Sequence, residues 1–225
     1  MRVVTISDTH SLQDGLDLPE ADVLIHAGDL MNSGKYLDEI VSYASWLQTQ
    51  SHKFSYIIQI AGNHDRLFEK VAKLSQDTLR EIVGDKLIYL ENESIMINGF
   101  KFWGSPYTPE FCSWAFQLYT AEEAKKIWDL IPPDVNVLIT HGPVYGIFDF
   151  TEYDQEHVGC KELKTRIRCL PQLKCHIGGH IHEGYGVVKK KGVAYINASI
   201  CDLRYNPVNA PIVFEMDVKG NVKLV

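Results

Sequence analysis

The sequence has no C-x-x-C pair, and its five cysteines, Cys112, Cys160, Cys169, Cys175 and Cys201, are an odd number. That spacing suits reduced thiols in a cytoplasmic compartment, with the cysteines as small buried side chains rather than ligands or nucleophiles. No stretch approaches the roughly 18 uninterrupted apolar residues of a membrane span. No long apolar segment with a small-residue cleavage site precedes the first strand pattern, Val3 to Ile6. The expectation is a soluble, unexported protein. A basic stripe is missing too, and the net charge is -7. Long nucleic acids and anionic membranes are therefore poor partners. The one cationic run, Lys189-Lys190-Lys191, precedes Gly192 between two short apolar strands and reads as a solvated hairpin turn. Repeats, low-complexity segments and linkers are absent. At 225 residues and 45% hydrophobic, the chain reads as a single domain over 1–225.

What the sequence does have is a recurring coincidence. Five apolar runs that read as buried strands each stop at a small cluster bearing Asp, His or Asn. Val3 to Ile6 ends at Ser7-Asp8-Thr9-His10, Val23 to Ile25 at His26-Ala27-Gly28-Asp29, and Tyr56 to Ile60 at Ala61-Gly62-Asn63-His64-Asp65. Val135 to Ile139 ends at Thr140-His141-Gly142-Pro143, and Lys174 to Ile177 at Gly178-Gly179-His180-Ile181-His182. Side chains alternate across a strand, so Asp8 and His10 share a side if extended geometry persists through them. Any one stop alone is ordinary turn punctuation. Jointly they point to a site.

Helical spacing at Tyr36, Leu37, Ile40, Val41, Ala44 and Leu47 predicts a helix capped by Ser33. Strand, helix, strand within about forty residues marks a parallel unit. A weaker helical pattern covers Leu67 to Leu79, and Lys86 to Leu90 is strand-like. Asn98-Gly99 is a strong hairpin signal. Thr120 caps a helix through Trp128 to Ile131, stopped by Pro132-Pro133, and another helix is expected near Val158 to Cys169. Short antiparallel strands fill the remainder. The mixture predicts an α/β protein: two mixed sheets packed face to face with helices outside.

In open α/β sheets, ligands gather outside the carboxyl ends of the strands, so the five stops can converge. They offer Asp8, His10, Asp29, Asn63, His64, His141, His180 and His182. Carboxylate, imidazole and amide oxygen without thiolate suit Mn²⁺, Fe or Zn²⁺. One ion rarely takes more than about four side chains while keeping a catalytic position open. A two-metal site with a bridging carboxylate accommodates the set. His26 and His176, inside apolar runs, read as core residues and His52 as a solvated helix end, while His157 has no evident place. Trp103, Tyr107, Phe111, Trp114 and Phe116 flank loops where a base can stack, although large aromatics more often belong to a core.

The ordered blocks D-x-H, G-D, G-N-H-D, H and G-H-x-H resemble those of the calcineurin-like metallophosphoesterase superfamily. Thr140-His141-Gly142-Pro143, Gly179 through Gly186 and Asn197-Ala198-Ser199 resemble the MPPED-type phosphodiesterases within it, and the likeness runs from Asp8 to about Phe214. The resemblance implies a four-layer α/β/β/α sandwich with two divalent metal ions. Asp8, His10 and His182 would hold the first ion and Asn63, His141 and His180 the second, with Asp29 bridging. A glycine can replace the first His of the last block in such proteins. Here that position is His180, which groups the chain with the fully liganded members. Manganese is the expected metal, with iron or zinc as alternatives. The implied activity is hydrolysis of small phosphodiesters, cyclic nucleotides among them, through a water shared by the ions. His64 is left to protonate the leaving oxygen, and Asp65 beside it to hold and charge that imidazole. The metals answer the charge question, since an acidic protein binds an anion through them. Alternatives are a phosphomonoesterase or phosphoprotein phosphatase, and a non-catalytic scaffold, against which the intact ligand set argues. Expected partners are a small phosphodiester or nucleotide, no long nucleic acid and no membrane, with homo-oligomerisation left open.

Overall fold

The computed structural model describes residues 1–225, and its elements follow the apolar runs. Strands β1 (Arg2–Ile6) and β2 (Val23–Ala27) are followed by helix α1 (Leu37–Gln50) and β3 (Tyr56–Ile60). Helices α2 (Arg66–Lys70) and α3 (Ala72–Val83) lead to β4 (Leu87–Tyr89), and β5 (Glu93–Ile97) turns into β6 (Phe100–Ser105). A short ribbon, β7 (Thr108–Pro109) with β8 (Gln117–Leu118), precedes α4 (Ala121–Asp129) and β9 (Val137–Thr140). A second ribbon, β10 (Phe150–Thr151) with β11 (Glu156–His157), precedes α5 (Lys161–Ile167) and β12 (Cys175–Gly178). Two hairpins complete the chain: β13 (Gly186–Lys190) with β14 (Val193–Asn197), and β15 (Ile212–Met216) with β16 (Val222–Leu224).

The first sheet runs β16-β15-β1-β2-β3-β4, parallel from β1 to β4 and antiparallel at β15 and β16. The second runs β13-β14-β12-β9-β6-β5, with four parallel central strands and antiparallel edges. Alternation along each strand divides the core into three layers. Val3, Ile25, Ile58, Phe102, Ile139 and Ile177 pack between the sheets. Val4, Leu24 and Ile57 point the other way, against Tyr43 and Leu47 of α1 and Leu79 of α3. Trp103 and Leu138 leave the second sheet toward Trp128 of α4 and Leu163 of α5. Each fully buried side chain of this kind contributes about 1.5–3 kcal/mol of transfer free energy. The architecture is the expected α/β/β/α sandwich. No helix is long and apolar enough to cross a membrane.

Local signals hold with adjustments. Asn98 and Gly99 both have positive φ, 50° and 83°, as a tight two-residue hairpin turn requires. Thr120 Oγ1 accepts from Glu123 N at 3.1 Å while Glu123 Oε2 accepts from Thr120 N, a reciprocal cap. Ser33, by contrast, is not the cap of α1, whose flanking residue is Tyr36. Ser33 instead donates its hydroxyl to Glu39 Oε1, and Glu39 Oε2 accepts from the amides of Asn32 and Ser33. The expected helix over Leu67 to Leu79 is two helices, because the backbone leaves helical geometry at Val71 (φ -136°). Cys160, Cys175 and Cys201 are buried as expected, but Cys112 and Cys169 are exposed.

Candidate metal centre

The five stops meet at the carboxyl ends of the parallel strands. β1, β2 and β3 deliver Asp8, His10, Asp29, Asn63 and His64, while β9 and β12 deliver His141, His180 and His182. The sheets are tied together there. Ser7 N donates to Ala198 O and Ile200 N to Ser7 O, both at 2.9 Å, so the exit of β1 runs beside the exit of β14.

Asp8 and His10 do not share a side through extended geometry, as their spacing suggests. β1 ends at Ile6, and Asp8 (φ 52°) and His10 (φ 44°) adopt left-handed backbone, as do Asp29 (φ 60°) and His180 (φ 69°). Such conformations are uncommon for residues other than glycine and cluster where surrounding structure holds them for function. Gly179 is needed for closeness, since a Cβ there would lie 2.1 Å from Asp8 Oδ2 and 2.2 Å from Ser7 Oγ.

Three groups of donor atoms converge, Asp8 with His10 and His182, Asp29 with His141 and His180, and Asp29 with His10 and His64, each within 4.8 Å. His10 Nε2 lies 3.2 Å from His182 Nε2, and His182 Nε2 is 3.6 Å from Asp8 Oδ1. Asp29 Oδ2 sits 3.3 Å from His141 Nε2 and 3.9 Å from His10 Nε2, between the two groups. Asn63 Oδ1 is 2.8 Å from His141 Nε2. These separations are comparable to those of donors sharing an ion at bond lengths of about 2.0–2.2 Å.

The imidazoles are oriented as ligands. Nδ1 of His10 lies 3.2 Å from Met31 O, Nδ1 of His141 2.9 Å from Ala27 O, and Nδ1 of His182 2.8 Å from Asp202 O. A ring that donates from Nδ1 to a carbonyl presents the Nε2 lone pair inward, the arrangement of metal-bound histidine. The His180 ring has no hydrogen-bond partner, and burial lowers its pKa to about 3, so it too offers a lone pair. Asp8 Oδ2 accepts from Ser7 Oγ at 2.5 Å and Ser199 Oγ at 2.7 Å, His180 N donates to both carboxylate oxygens at 3.1 Å, and Oδ1 faces the histidines. Buried carboxylates, neutralisable imidazoles, three of them anchored from behind, and one amide oxygen fit divalent ions.

Burial disfavours the ionised Asp8 and Asp29, yet His182 and His141 beside Asp8, and His141 and His64 beside Asp29, hold both below the usual carboxylate range. Burial likewise opposes charge on His141 and His182. Asp29 outweighs it at His141, as Asp8 does at His182, and both rise to about 9. His10 falls to about 4, burial exceeding the pull of Asp29 and Asp8.

His64 is 8% exposed. Its Nδ1 lies 2.6 Å from Asn32 O, its backbone N donates to Asp29 Oδ1 at 2.7 Å, and its ring stacks on Trp114 with centroids 4.1 Å apart. The expectation that Asp65 holds this imidazole is overturned. Asp65 points away and accepts four backbone amides, from Asp29, Leu30 and Gly62 on Oδ2 and from Met31 on Oδ1. Burial and the Asp29 carboxylate push Asp65 up to about 8, and the amides oppose that rise. A chain that turns at Gly62-Asn63 puts adjacent residues on opposite sides, which sequence adjacency does not reveal.

Other placements follow the reading. His26 and His176 are buried, bonded to Thr9 and Gln59 and to Thr140 respectively, and His52 is exposed at a helix end. His157 pairs with the buried Asp149 at 2.7 Å on the second ribbon. Trp103 and Phe116 are core, while Phe111 is half exposed and lines a cavity of about 520 Å³ above the centre. Sequence reasoning missed Ser7, Asn197, Asp202 and Tyr205. Asn197 Nδ2 donates to Ile181 O at 2.8 Å and so fixes the His180–His182 turn, and Tyr205 packs its ring 4.7 Å from that of His10. Ser7 and Asn197 stand in the quoted motifs, whereas nothing in the sequence signals Tyr205.

The profile of the calcineurin-like phosphoesterase family matches residues 1–184. The chain is 37% identical over 238 residues to human metallophosphoesterase domain-containing protein 1, covering 98% of this chain and 72% of that protein. It is 34% identical over 229 residues to the Caenorhabditis elegans UPF0046 protein K07C11.7, covering 97% and 76%. Among solved structures, a dimetal phosphatase from Danio rerio superposes with a TM-score of 0.62 at 11% identity, covering 100% of this chain and 98% of that one. TT1561 of Thermus thermophilus gives 0.63 at 12% identity, covering 100% and 97%. The two structures are similar in fold, and the sequence matches carry the assignment: the chain belongs to the calcineurin-like phosphoesterase family.

Proposed function

We propose that residues 1–225 form one catalytic domain, a two-metal phosphodiesterase for small phosphodiesters, cyclic nucleotides among them, working in the cytoplasm with manganese. The observation that carries this reading is the convergence of imidazoles and carboxylates, with His10, His141, His182 and Asp8 each tied back to the fold on the side away from the centre. Asp8, His10 and His182 would hold one ion and Asn63, His141 and His180 the other, with Asp29 between them. Bound there, the ions supply Lewis acidity toward a phosphate and an activated water. An N/O donor set without thiolate supports manganese. A cavity of about 520 Å³ leaves room for both substituents of a diester.

His64 is the general acid of this scheme. Its Nδ1–H is committed to Asn32 O, so Nε2 is the atom left to face the leaving oxygen and delivers a proton from the imidazolium form, and the Trp114 plane restrains the ring. Asp65 acts on the loop that carries Asp29, not on His64.

Manganese-loaded protein is expected to hydrolyse bis-p-nitrophenyl phosphate and metal-stripped protein to leave it intact. Inactivity with every metal would favour a scaffold. His64→Ala should keep both ions and lose more rate on alkyl phosphodiesters than on p-nitrophenyl ones, whose leaving group needs little protonation. Equal loss on both sinks the acid role, and loss of an ion would make His64 a ligand.

A further inference from the structure

The cavity above the centre is charged in the opposite sense to an ordinary phosphate pocket. Its walls carry Glu110, Asp154, Glu156 and Glu183 and not one lysine or arginine. They come from three separate segments, the β7–β8 ribbon, the β10–β11 ribbon and the turn after His182. None is in an ion pair, the lysine pairs of the chain lying at Asp17, Asp77, Glu122, Asp129 and Asp134. The carboxylates of Glu110 and Glu156 have no hydrogen-bond partner, Asp154 accepts from Thr151 Oγ1 at 3.3 Å, and Glu183 accepts from Glu152 N at 3.2 Å. Arg66 lies 4.0 Å from the centroid of the Trp114 ring and is not a lining residue.

A second, independent feature of the same cavity points to a bound group. Three aromatic rings line it while remaining open to solvent, Phe111 at 50%, Tyr153 at 95% and Tyr205 at 41% exposure. Tyr205 is held in left-handed backbone, φ 58°, which a bulky residue rarely adopts. Carboxylates and aromatic rings together are the side chains that recognise an alkylammonium, through charge attraction and the cation–π interaction. The same walls repel any second anionic group, and an acid-lined cleft focuses that field.

We infer, resting on the phosphodiesterase reading above, that this site prefers phosphodiesters whose second alcohol carries a positive charge, such as a quaternary ammonium, and rejects esters bearing a further phosphate. The phosphate itself is served by the metal centre. The walls act on what is attached to it.

Three p-nitrophenyl phosphodiesters with the same leaving group test this: the choline ester, the phenyl ester, and the thymidine ester with an additional 3′-phosphate. With manganese-loaded protein, kcat/KM is expected to fall in that order, at least tenfold from first to last, mainly through KM, and the spread should shrink at 0.5 M NaCl. The variant Glu110→Gln/Glu156→Gln/Glu183→Gln should compress the ranking. In metal-free protein, saturation-transfer NMR should detect choline chloride on the wild type and not on the variant. Hydrolysis of the phenyl ester with no preference for the choline ester, or no saturation transfer, overturns the inference and leaves the phosphodiesterase reading standing. No hydrolysis of any of the three overturns that reading and this inference with it.

Discussion

Ser199 Oγ donates to Asp8 Oδ2 at 2.7 Å across 191 residues of chain. The bond orients a carboxylate whose other oxygen faces His10 and His182. Ser199→Ala should therefore weaken metal binding about tenfold or more, the usual effect of losing a group that orients a ligand. Ser7 Oγ still holds Asp8, so the fold should survive with a loss of about 1.5–3 kcal/mol, the range for a hydrogen bond to a charged group. Chelator competition and urea unfolding measure the two effects. Unchanged metal affinity would mean that Asp8 is oriented without Ser199.

Asp65 offers a sharper contrast. An amide in its place keeps one acceptor and turns two N–H groups toward backbone donors. Asp65→Asn should cost about 3 kcal/mol or more, since each buried amide left unpaired costs roughly 1–3 kcal/mol. The destabilisation should appear in metal-free protein, before any chemistry. A variant as stable as the wild type but slow with alkyl leaving groups would restore Asp65 to a role on His64.

Metal uptake should release protons. With His141 and His182 raised to about 9 by Asp29 and Asp8 against their burial, metal-free protein at pH 7 holds protons on nitrogens that an ion requires. Apparent affinity should rise with pH from 6.5 to about 9. Calorimetry at neutral pH, in buffers of different ionisation enthalpy, should register about two protons released per molecule loaded. For stability the sign is opposite. A histidine raised above its unfolded value stabilises fully below about pH 6.5 and loses that contribution as pH climbs through about 9. The Tm of metal-free protein should fall over that window while the loaded form holds. A flat affinity profile would show that these two nitrogens do not meet the metal.

The strand ends were legible because burial demands apolar runs and only function explains what repeatedly follows them. Asp8, Asp29, Asn63 and His141 lie near one another as those ends predict. What adjacency could not disclose was direction. Left-handed backbone at Asp8, His10 and His180 carries no mark in residues that are not glycine, and the turn at Gly62-Asn63 sends His64 and Asp65 to opposite sides. Long-range partners were equally hidden, because Ser199 and Asn197 act through contacts that only the packed sheets create. The two ribbons that wall the cavity are two-residue strands, too short for any hydrophobic period to register.

Asp8, His10, Asp29 and Asn63 leave strands of the first sheet, whereas His141, His180 and His182 leave the second. No half of the chain owns a complete set of ligands. Until the sheets have closed on one another, an ion meets only a partial set on either side, and tight binding must wait for contacts between the sheets that lie far apart in sequence, such as the one that spans 172 residues from His10 to His182. Metal affinity is thus a gauge of how completely the chain has folded, and ions present during refolding should act on its final step rather than its first.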